Sequence, residues 1–286
     1  MSRTKWWNLL LVGLLLLGVQ CSEAQSRRTW QRRGYMLPDY EVKLMLHPER
    51  VLSGPLLKKE VTAFFSMPEP ATGYSLQFLD TVDKDLSGKG WNVRLRRFEG
   101  QNEVQLTFKK RYPVIGNNLD AALAQAAFDG FDDQEKDFEA QVEWGWESKT
   151  LSLSLEKSLA VNLPGSELPG EKSSRRDAIK HASPRFDNGF APRWGTKQLS
   201  AARVYGPVEA RRYLGSWSGM KVTIEIWYLL GSSSGYPFPQ AVEISFRTGS
   251  IQKAGMLQKQ LMEQLKAKGW FYPEDVLKTE LVLEQY

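Results

Sequence analysis

Cysteine occurs once in the chain, at Cys21, and histidine twice, at His47 and His181. A single cysteine excludes an intramolecular disulfide and a thiolate zinc site. Because Cys21 borders the N-terminal apolar segment, a mature chain would also hold no cysteine nucleophile. Two histidines exclude a histidine-rich metal site, and His47, near the end of a strand pattern, reads as a rim or solvated residue rather than a ligand. The apolar run from Trp6 to Val19 is shorter than the ~20 residues that a membrane-spanning helix takes. No internal repeat is visible.

What is present is globular in character. The 286 residues are 42% hydrophobic and 25% charged, enough for one large domain or two small ones. The 38 basic and 33 acidic residues leave a net charge of +5, with a pI of about 9.1. That balance suits an anionic ligand and does not by itself argue for nucleic acid. Arg3 and Lys5 precede the apolar run, and small residues follow it, the pattern of a secretory signal over residues 1–24, cleaved after Cys21 or Ala24. This implies a secreted or periplasmic protein without a stable membrane span in the mature chain. Lipid anchoring at Cys21 is disfavoured, because Gln20 stands where such signals carry Gly, Ala or Ser.

Residues 25–34, "QSRRTWQRRG", read as a basic tail ahead of a domain at 35–286. Strand patterns follow at 38–47, 73–81, "KGWNVRLRRFEG" and "EVQLTFKKRY", the last two joined as a hairpin. Residues 58–67 are open between strand and short helix. "NLDAALAQAAF" is a helix with an Asn cap. "FEAQVEWGWESKTLSLSLEKSL" contains at least one strand. Residues 162–196 are rich in Pro, Gly, Ser and charge and read as a flexible insert. Three strand patterns come next, "VYGPVEARRYLGSW", "MKVTIEIWYLLG" and "QAVEISFRTG". A helix follows in which Leu257, Leu261 and Leu265 recur every four residues before Gly269 closes it.

Side-chain alternation divides charge from apolar residues in strand after strand. Asp39, Glu41 and Lys43 oppose Tyr40, Val42 and Leu44. Arg94 and Arg96 oppose Val93 and Leu95. Gln105, Thr107 and Lys109 oppose Val104, Leu106 and Phe108. Lys221, Thr223 and Glu225 oppose Val222, Ile224 and Ile226, and Glu243, Ser245 and Arg247 oppose Val242, Ile244 and Phe246. One such strand is ordinarily half solvated. Several together point to a barrel whose apolar faces turn outward under helices and whose charges line a wet interior. Mixed charges there call for a charged ligand: cations for phosphate oxygens, carboxylates for Mg²⁺ or Mn²⁺.

These residues resemble those of the CYTH superfamily, the triphosphate tunnel metalloenzymes that include class IV adenylate cyclases and thiamine triphosphatases. "DYEVK" is similar to the family's E-x-E-x-K strand, "LQFLDTVDKDLSGKGWNVRLRR" to its Y-x-D-T … L-R-x-R segment, "VQLTFKK" to its L-T-x-K strand and "AVEISF" to its late E-x-E strand. The matches keep their order over about residues 38–110 and 203–248. The resemblance implies an α+β fold, an eight-stranded antiparallel tunnel with flanking helices. It implies a divalent metal, Mg²⁺ or Mn²⁺, held by Asp39, Glu41 and Glu243, with Glu225 nearby. Lys43, Arg94, Arg96 and Lys109 would grip phosphate oxygens, joined by Arg211 or Arg212, between which alternation does not choose. Glu41 and Lys43 would serve catalysis, and Lys278 resembles a late family lysine. Two departures stand out: the first acid is Asp39, one methylene shorter, and the second acid of the late strand is Ser245.

The expected activity is metal-dependent hydrolysis of inorganic triphosphate or a nucleoside triphosphate, and the expected partner is a small anion of the triphosphate or polyphosphate type. A non-catalytic phosphate binder with the same tunnel is the first alternative, and a secreted carrier barrel with an apolar lumen is the second.

Overall fold

A computed structural model describes residues 23–68, 70–229 and 240–286. The expected signal segment up to residue 22, with Cys21, lies outside the described residues. The strands are β1 (Asp39–Leu46), β2 (Leu52–Ser53), β3 (Leu56–Leu57), β4 (Thr72–Asp80), β5 (Trp91–Phe98), β6 (Glu103–Pro113), β7 (Glu139–Trp144), β8 (Lys149–Ala160), β9 (Arg203–Trp217), β10 (Met220–Tyr228), β11 (Gln240–Thr248) and β12 (Phe271–Tyr272). The helices are α1 (residues 23–32), α2 (Pro48–Val51), α3 (Lys59–Phe64), α4 (Asp85–Gly88), α5 (Leu119–Phe128), α6 (Glu171–His181), α7 (Pro184–Asn188), α8 (Trp194–Ala201), α9 (Ile251–Ala267) and α10 (Lys278–Gln285).

Nine strands close a barrel in the order β11–β10–β9–β4–β5–β6–β8–β7–β1 and back to β11, and β12 adds to β1 from outside. The expected architecture holds, with one strand more than expected and one parallel pairing. The extra strand arises because "FEAQVEWGWESKTLSLSLEKSL" is a hairpin, β7 and β8, turning at Gly145. β7 then lies parallel to β1, with Glu143 beside Glu41, while the other barrel pairings are antiparallel. In the 15-residue β9 the register slips at Gly206, whose φ of +122° suits glycine.

The apolar faces turn outward, as the alternation predicts. Val42, Leu44, Val93, Leu95, Leu106, Phe108, Leu153, Ile224 and Ile244 are all buried in one large core beneath the helices. α9 closes over it through Leu257, Leu261 and Leu265. α5 does so through Ala122, Leu123 and Ala126, with Asn118 Oδ1 accepting from Ala121 N at its start.

Two segments depart from the sequence reading. Residues 25–34 are not a tail. Most of them belong to α1, where Trp30 is buried and donates through Nε1 to Asp120, and Glu23 accepts from Ser250 Oγ (2.8 Å) and Ile251 N (3.0 Å) at the start of α9. Residues 162–196 are not a structureless insert. They hold α6, α7 and the start of α8, whose Ala178, Phe186 and Leu199 are fully buried. The lead-in to α6 is fastened by buried Arg97 on the outer face of β5. Its guanidinium donates to the carbonyls of Gln101, Leu163, Pro164 and Glu167 at 2.6–3.2 Å. An irregular backbone is stable there because one planar group with five N–H donors satisfies its carbonyls.

Arg97→Ala would strand those carbonyls. The expected cost is about 3 kcal/mol of stability in urea unfolding, together with new trypsin cleavage near Arg175 and Arg176. Unchanged digestion would show that the segment holds itself without Arg97.

Candidate functional site in the barrel lumen

The lumen is built from the inward faces of the barrel strands and divides into two parts. The first is apolar. Tyr74, Leu76 and Phe78 of β4, Val208 and Ala210 of β9 and Trp227 of β10 form a second buried core with Val282 and Leu283 of α10. The C-terminal helix therefore fills that part of the barrel.

The second part is charged, and the strand register places each group. Lys43 on β1 lies 3.1 Å from Glu41 and 3.4 Å from Glu143 of the parallel neighbour β7. Glu143 also takes Lys109 Nζ at 2.6 Å and Arg111 Nε at 3.7 Å, both from β6. Glu41 takes Arg247 Nε at 3.0 Å from the facing position on β11. On the opposite side, Glu225 takes Arg212 at 2.8 Å, and Lys278 of α10 sits 2.9 Å from both Glu225 and Glu243. The register pairs Arg212 with Glu225 and Arg211 with Ile226. Arg212 thus enters the lumen, while Arg211 faces outward and is no part of the site.

Burial disfavours the charged forms of Glu41, Glu143 and Glu225, and their partners reverse the effect. Lys43 and Arg247 hold the Glu41 carboxyl below its usual range despite burial. Lys109, Lys43 and Arg111 hold Glu143 far below its own, and Lys278 and Arg212 do the same for Glu225. Lys43 and Lys278 are pushed up against the pull of burial by their pairs of carboxylates.

The wall formed by β5, β6 and β8 behaves differently. Burial lowers Lys109 to about 8, with Glu143 opposing and Lys43 and Arg111 adding to the fall. Burial also lowers Arg96 to about 9, and Arg94 and Arg212 add to that. Arg94 is lowered by burial as well. A guanidinium keeps its proton inside proteins, so these shifts express an unmet need for negative charge. Arg96 has Gln105 at 2.9 Å, the Phe98 ring and, at 3.9 Å, the half-exposed Glu156. Arg94 has Thr107 at 3.3 Å and, among the described residues, no ion pair. Buried side-chain atoms without a hydrogen-bond partner concentrate on this wall: Asn92 Nδ2, Arg94 Nε, Arg111 Nε and Ser152 Oγ. Register makes them neighbours: Asn92 faces Lys109, and Arg111 faces Ser152. A recess of about 250 Å³ opens beside Arg96, lined by Phe98, Gln105 and Arg212 among others.

The expected metal ligands do not gather. Asp39 is exposed at the start of β1, Glu41 is engaged by Lys43 and Arg247, and Glu225 and Glu243 are engaged by Lys278. Ser245, facing Lys43, supplies only a hydroxyl where another carboxylate would be needed. No group of three Asp, Glu, His or Cys side chains among the described residues is placed to hold a metal ion. The residues present therefore do not fit a resident Mg²⁺ or Mn²⁺. Among the described residues no helix is long and apolar enough to cross a membrane.

Glu143, Arg111, Asn92, Ser152 and Glu156 are site residues beyond those expected from sequence. The signal was present: Gln141 and Glu143 alternate with Ala140 and Val142, and Ser152, Ser154 and Glu156 alternate with Leu151, Leu153 and Leu155.

Glu143→Gln removes the carboxylate shared by Lys43, Lys109 and Arg111. A buried cation left without its partner is strongly destabilising, so the variant should lose about 3 kcal/mol in urea unfolding. Added triphosphate should restore part of that loss by supplying negative charge. Wild-type stability in the variant would show that the three cations are solvated.

No family model and no curated protein sequence matches the chain. Solved structures do. A candidate adenylate cyclase from Bacillus halodurans superposes with a TM-score of 0.50 and 14% identity, over 86% of this chain and 97% of its own. A candidate adenylyl cyclase from Hippeastrum, described as having a dominant triphosphatase activity, gives 0.48 and 15% over 86% and 99%. A Pyrococcus horikoshii protein gives 0.44 and 16% over 86% and 100%. With nine strands closed around a charged lumen and helices outside, the chain shares the overall fold of the Bacillus halodurans structure, a barrel of the kind that the sequence resemblance implies.

Proposed function

We propose that the barrel binds a triphosphate-bearing anion along the β5–β6–β8 wall and presents it to water for cleavage of a phosphoanhydride bond. One observation carries this reading: Asn92 Nδ2, Arg94 Nε and Ser152 Oγ are buried without hydrogen-bond partners, and Arg111 Nε has only the Glu143 carboxylate at 3.7 Å, all near Arg96 and Lys109. Buried polar groups in folded proteins are nearly always satisfied, so a cluster of orphaned donors marks where a missing acceptor belongs. A phosphate chain brings many acceptor oxygens and several negative charges, and planar guanidiniums meet such oxygens in pairs.

The chemistry this wall supports is electrostatic. Arg94, Arg96 and Lys109 would hold the chain and offset charge that builds on its oxygens as water attacks in line. The P–O bond to the leaving phosphate breaks as the bond to water forms, and no enzyme nucleophile is needed. Lys43, expected as a catalytic group with Glu41, is placed to orient Glu41 and Glu143 as well as to meet an anion. Assistance by Mg²⁺ or Mn²⁺ rests on the family resemblance alone, because Glu41, Glu225 and Glu243 are engaged by cations of the chain. The engaged carboxylates favour a second reading, binding of the same anion without turnover. A carrier role has less support, because α10 occupies the apolar part of the lumen.

Export is also our reading, from the basic start and apolar run at residues 1–24. Cleavage after Cys21 would keep Glu23 in place at the start of α9. An exported protein whose mass still includes residues 1–24 would count against it.

The double variant Arg94→Ala, Arg96→Ala tests the anion site. These cations are short of counter-charge, so their removal should leave the ligand-free melting temperature unchanged or slightly raised. It should abolish the upward shift that triphosphate gives the wild type. A phosphate-release assay on inorganic triphosphate, long-chain polyphosphate, ATP and thiamine triphosphate then separates hydrolysis from binding. If triphosphate does not shift the wild type at all, the reading fails.

The pH dependence has a definite sign. The Lys109 pKa is depressed from 10.5 to about 8 in the folded protein, so the ligand-free fold gains stability as pH rises through that window. Anion affinity runs the other way and should fall above about pH 8 as the amine loses its charge. Lys109→Arg keeps the charge at every accessible pH and should remove the fall. An identical decline in both proteins, measured by calorimetry, would assign it to another group.

A further inference from the structure

Of the carboxylates that the family resemblance assigns to a metal, Glu41, Glu225 and Glu243 are occupied by cations built into the chain, and Asp39 lies exposed at the start of β1. We propose that this tunnel works without a resident divalent ion, and that Lys278, carried in by the C-terminal helix, stands as a tethered cation where the ion would be. The inference rests on the anion-binding reading above and specifies how that binding works.

Geometry carries it. Lys278 Nζ lies 2.9 Å from Glu225 Oε2 and 2.9 Å from Glu243 Oε1, bridging carboxylates from β10 and β11. Those two residues face each other across the strand pair. An ion entering between them would have to displace the ammonium, which the first turn of α10 presents to them. That turn is anchored. The Lys278 ammonium lies 4.5 Å from the centroid of the Trp227 ring, and Val282 and Leu283 of the same helix are buried against the apolar part of the lumen. The chain end is tied down by Arg203, which donates to the Tyr286 backbone carbonyl, and by Tyr286 Oη, 3.1 Å from the Pro207 carbonyl. Displacing the ammonium would break two ion pairs and its contact with the Trp227 ring, while the anchored helix keeps Lys278 at the site to compete with the ion.

Glu41 is occupied in the same manner, while Asp39 stays outside the lumen at the exposed start of β1. Lys43 and Arg247 hold Glu41 at 3.1 and 3.0 Å. Magnesium requires near-octahedral oxygen coordination, and neither pair leaves a carboxylate free to begin it. The cations that counter a phosphate chain here are covalently part of the protein, so anion binding should be indifferent to chelator.

The first measurement needs no variant. Thermal unfolding of the full chain with triphosphate is compared in chelator and in Mn²⁺, and Mn²⁺ binding to the ligand-free protein is read by electron paramagnetic resonance. The proposal expects the full triphosphate shift in chelator and no Mn²⁺ bound in the lumen. A shift that disappears in chelator, or a Mn²⁺ bound by the wild type and lost in Glu243→Gln, overturns it. Triphosphate giving no shift under either condition would instead remove the anion-binding reading, leaving the Mn²⁺ measurement to stand alone.

Lys278→Gln gives the complementary result. With its ammonium removed, Glu243 loses its counter-cation, and the variant should gain Mn²⁺ binding that Lys278→Gln, Glu243→Gln loses again. A folded Lys278→Gln protein that gains none shows that Lys278 does not stand in for an ion. If circular dichroism shows that the variant is unfolded, the wild-type comparison decides.

Discussion

A charge inside a barrel must be matched by another charge, and in this protein Glu143 matches the most. It lies on β7, which runs parallel to β1 and so places two carboxylates, Glu143 and Glu41, side by side. Unpaired, they would repel each other in a setting that already disfavours their ionised forms. Lys43 resolves the conflict from β1 itself, at 3.1 Å from one and 3.4 Å from the other. The trio Asp39, Glu41 and Lys43 is thus not a unit. Two of its members face a partner from another strand, and the third lies at the rim. Lys109 and Arg111 attach to the same Glu143 from β6, so one carboxylate links three strands of the closed sheet.

The C-terminal helix decides how much of the lumen is available. By packing Val282 and Leu283 on Leu76, Phe78 and Val208, α10 turns part of the barrel interior into ordinary core and confines water and ligand to the charged remainder. Trp227 marks the boundary: its indole N–H donates to Tyr74 Oη at 2.8 Å, and the Lys278 ammonium lies over its ring. A lumen divided in this way explains why charged and apolar side chains can share one inward face. It also explains why the apolar stretch of that face does not describe a carrier.

Much of this could be read from alternation alone. Val93 and Leu95 against Arg94 and Arg96, or Ile224 against Glu225, fixes which face is apolar, and closure of the barrel follows once enough strands agree. What alternation does not contain is register. It left Arg211 and Arg212 equivalent, and only the pairing of Arg212 with Glu225 separates them. Nor does it contain distant partners. The stretch before α6 reads as loose because its composition is rich in Pro and Gly, yet it is held by Arg97, some 65 residues earlier in the chain, through the carbonyls of Leu163 and Pro164. α1 was hidden for a related reason. A helix with one large apolar residue has no periodicity, and Trp30 is buried while the polar ties of Glu23 to the start of α9 leave no mark in the pattern. The start of α7 did carry a local signal, Ser183 followed by Pro184, with Ser183 Oγ accepting from Phe186 N. It was obscured by the glycines and charges on either side.

The two walls of the charged lumen follow opposite rules, and the contrast bears on function. On the side of β10, β11 and β1, each inward carboxylate is matched by one or two cations at 2.8–3.1 Å. On the side of β5, β6 and β8, Arg94 has only a hydroxyl, Arg96 only an amide and a distant carboxylate, Arg111 Nε only a carboxylate at 3.7 Å, and Asn92 Nδ2 and Ser152 Oγ no hydrogen bond. Stability alone gives no reason to keep the second arrangement, since buried cations short of counter-charge destabilise a fold. Sequences otherwise consistent with their folds break such rules where a ligand completes the structure. The first wall is complete by itself, and the proposed anion, with its several oxygens, would complete the second.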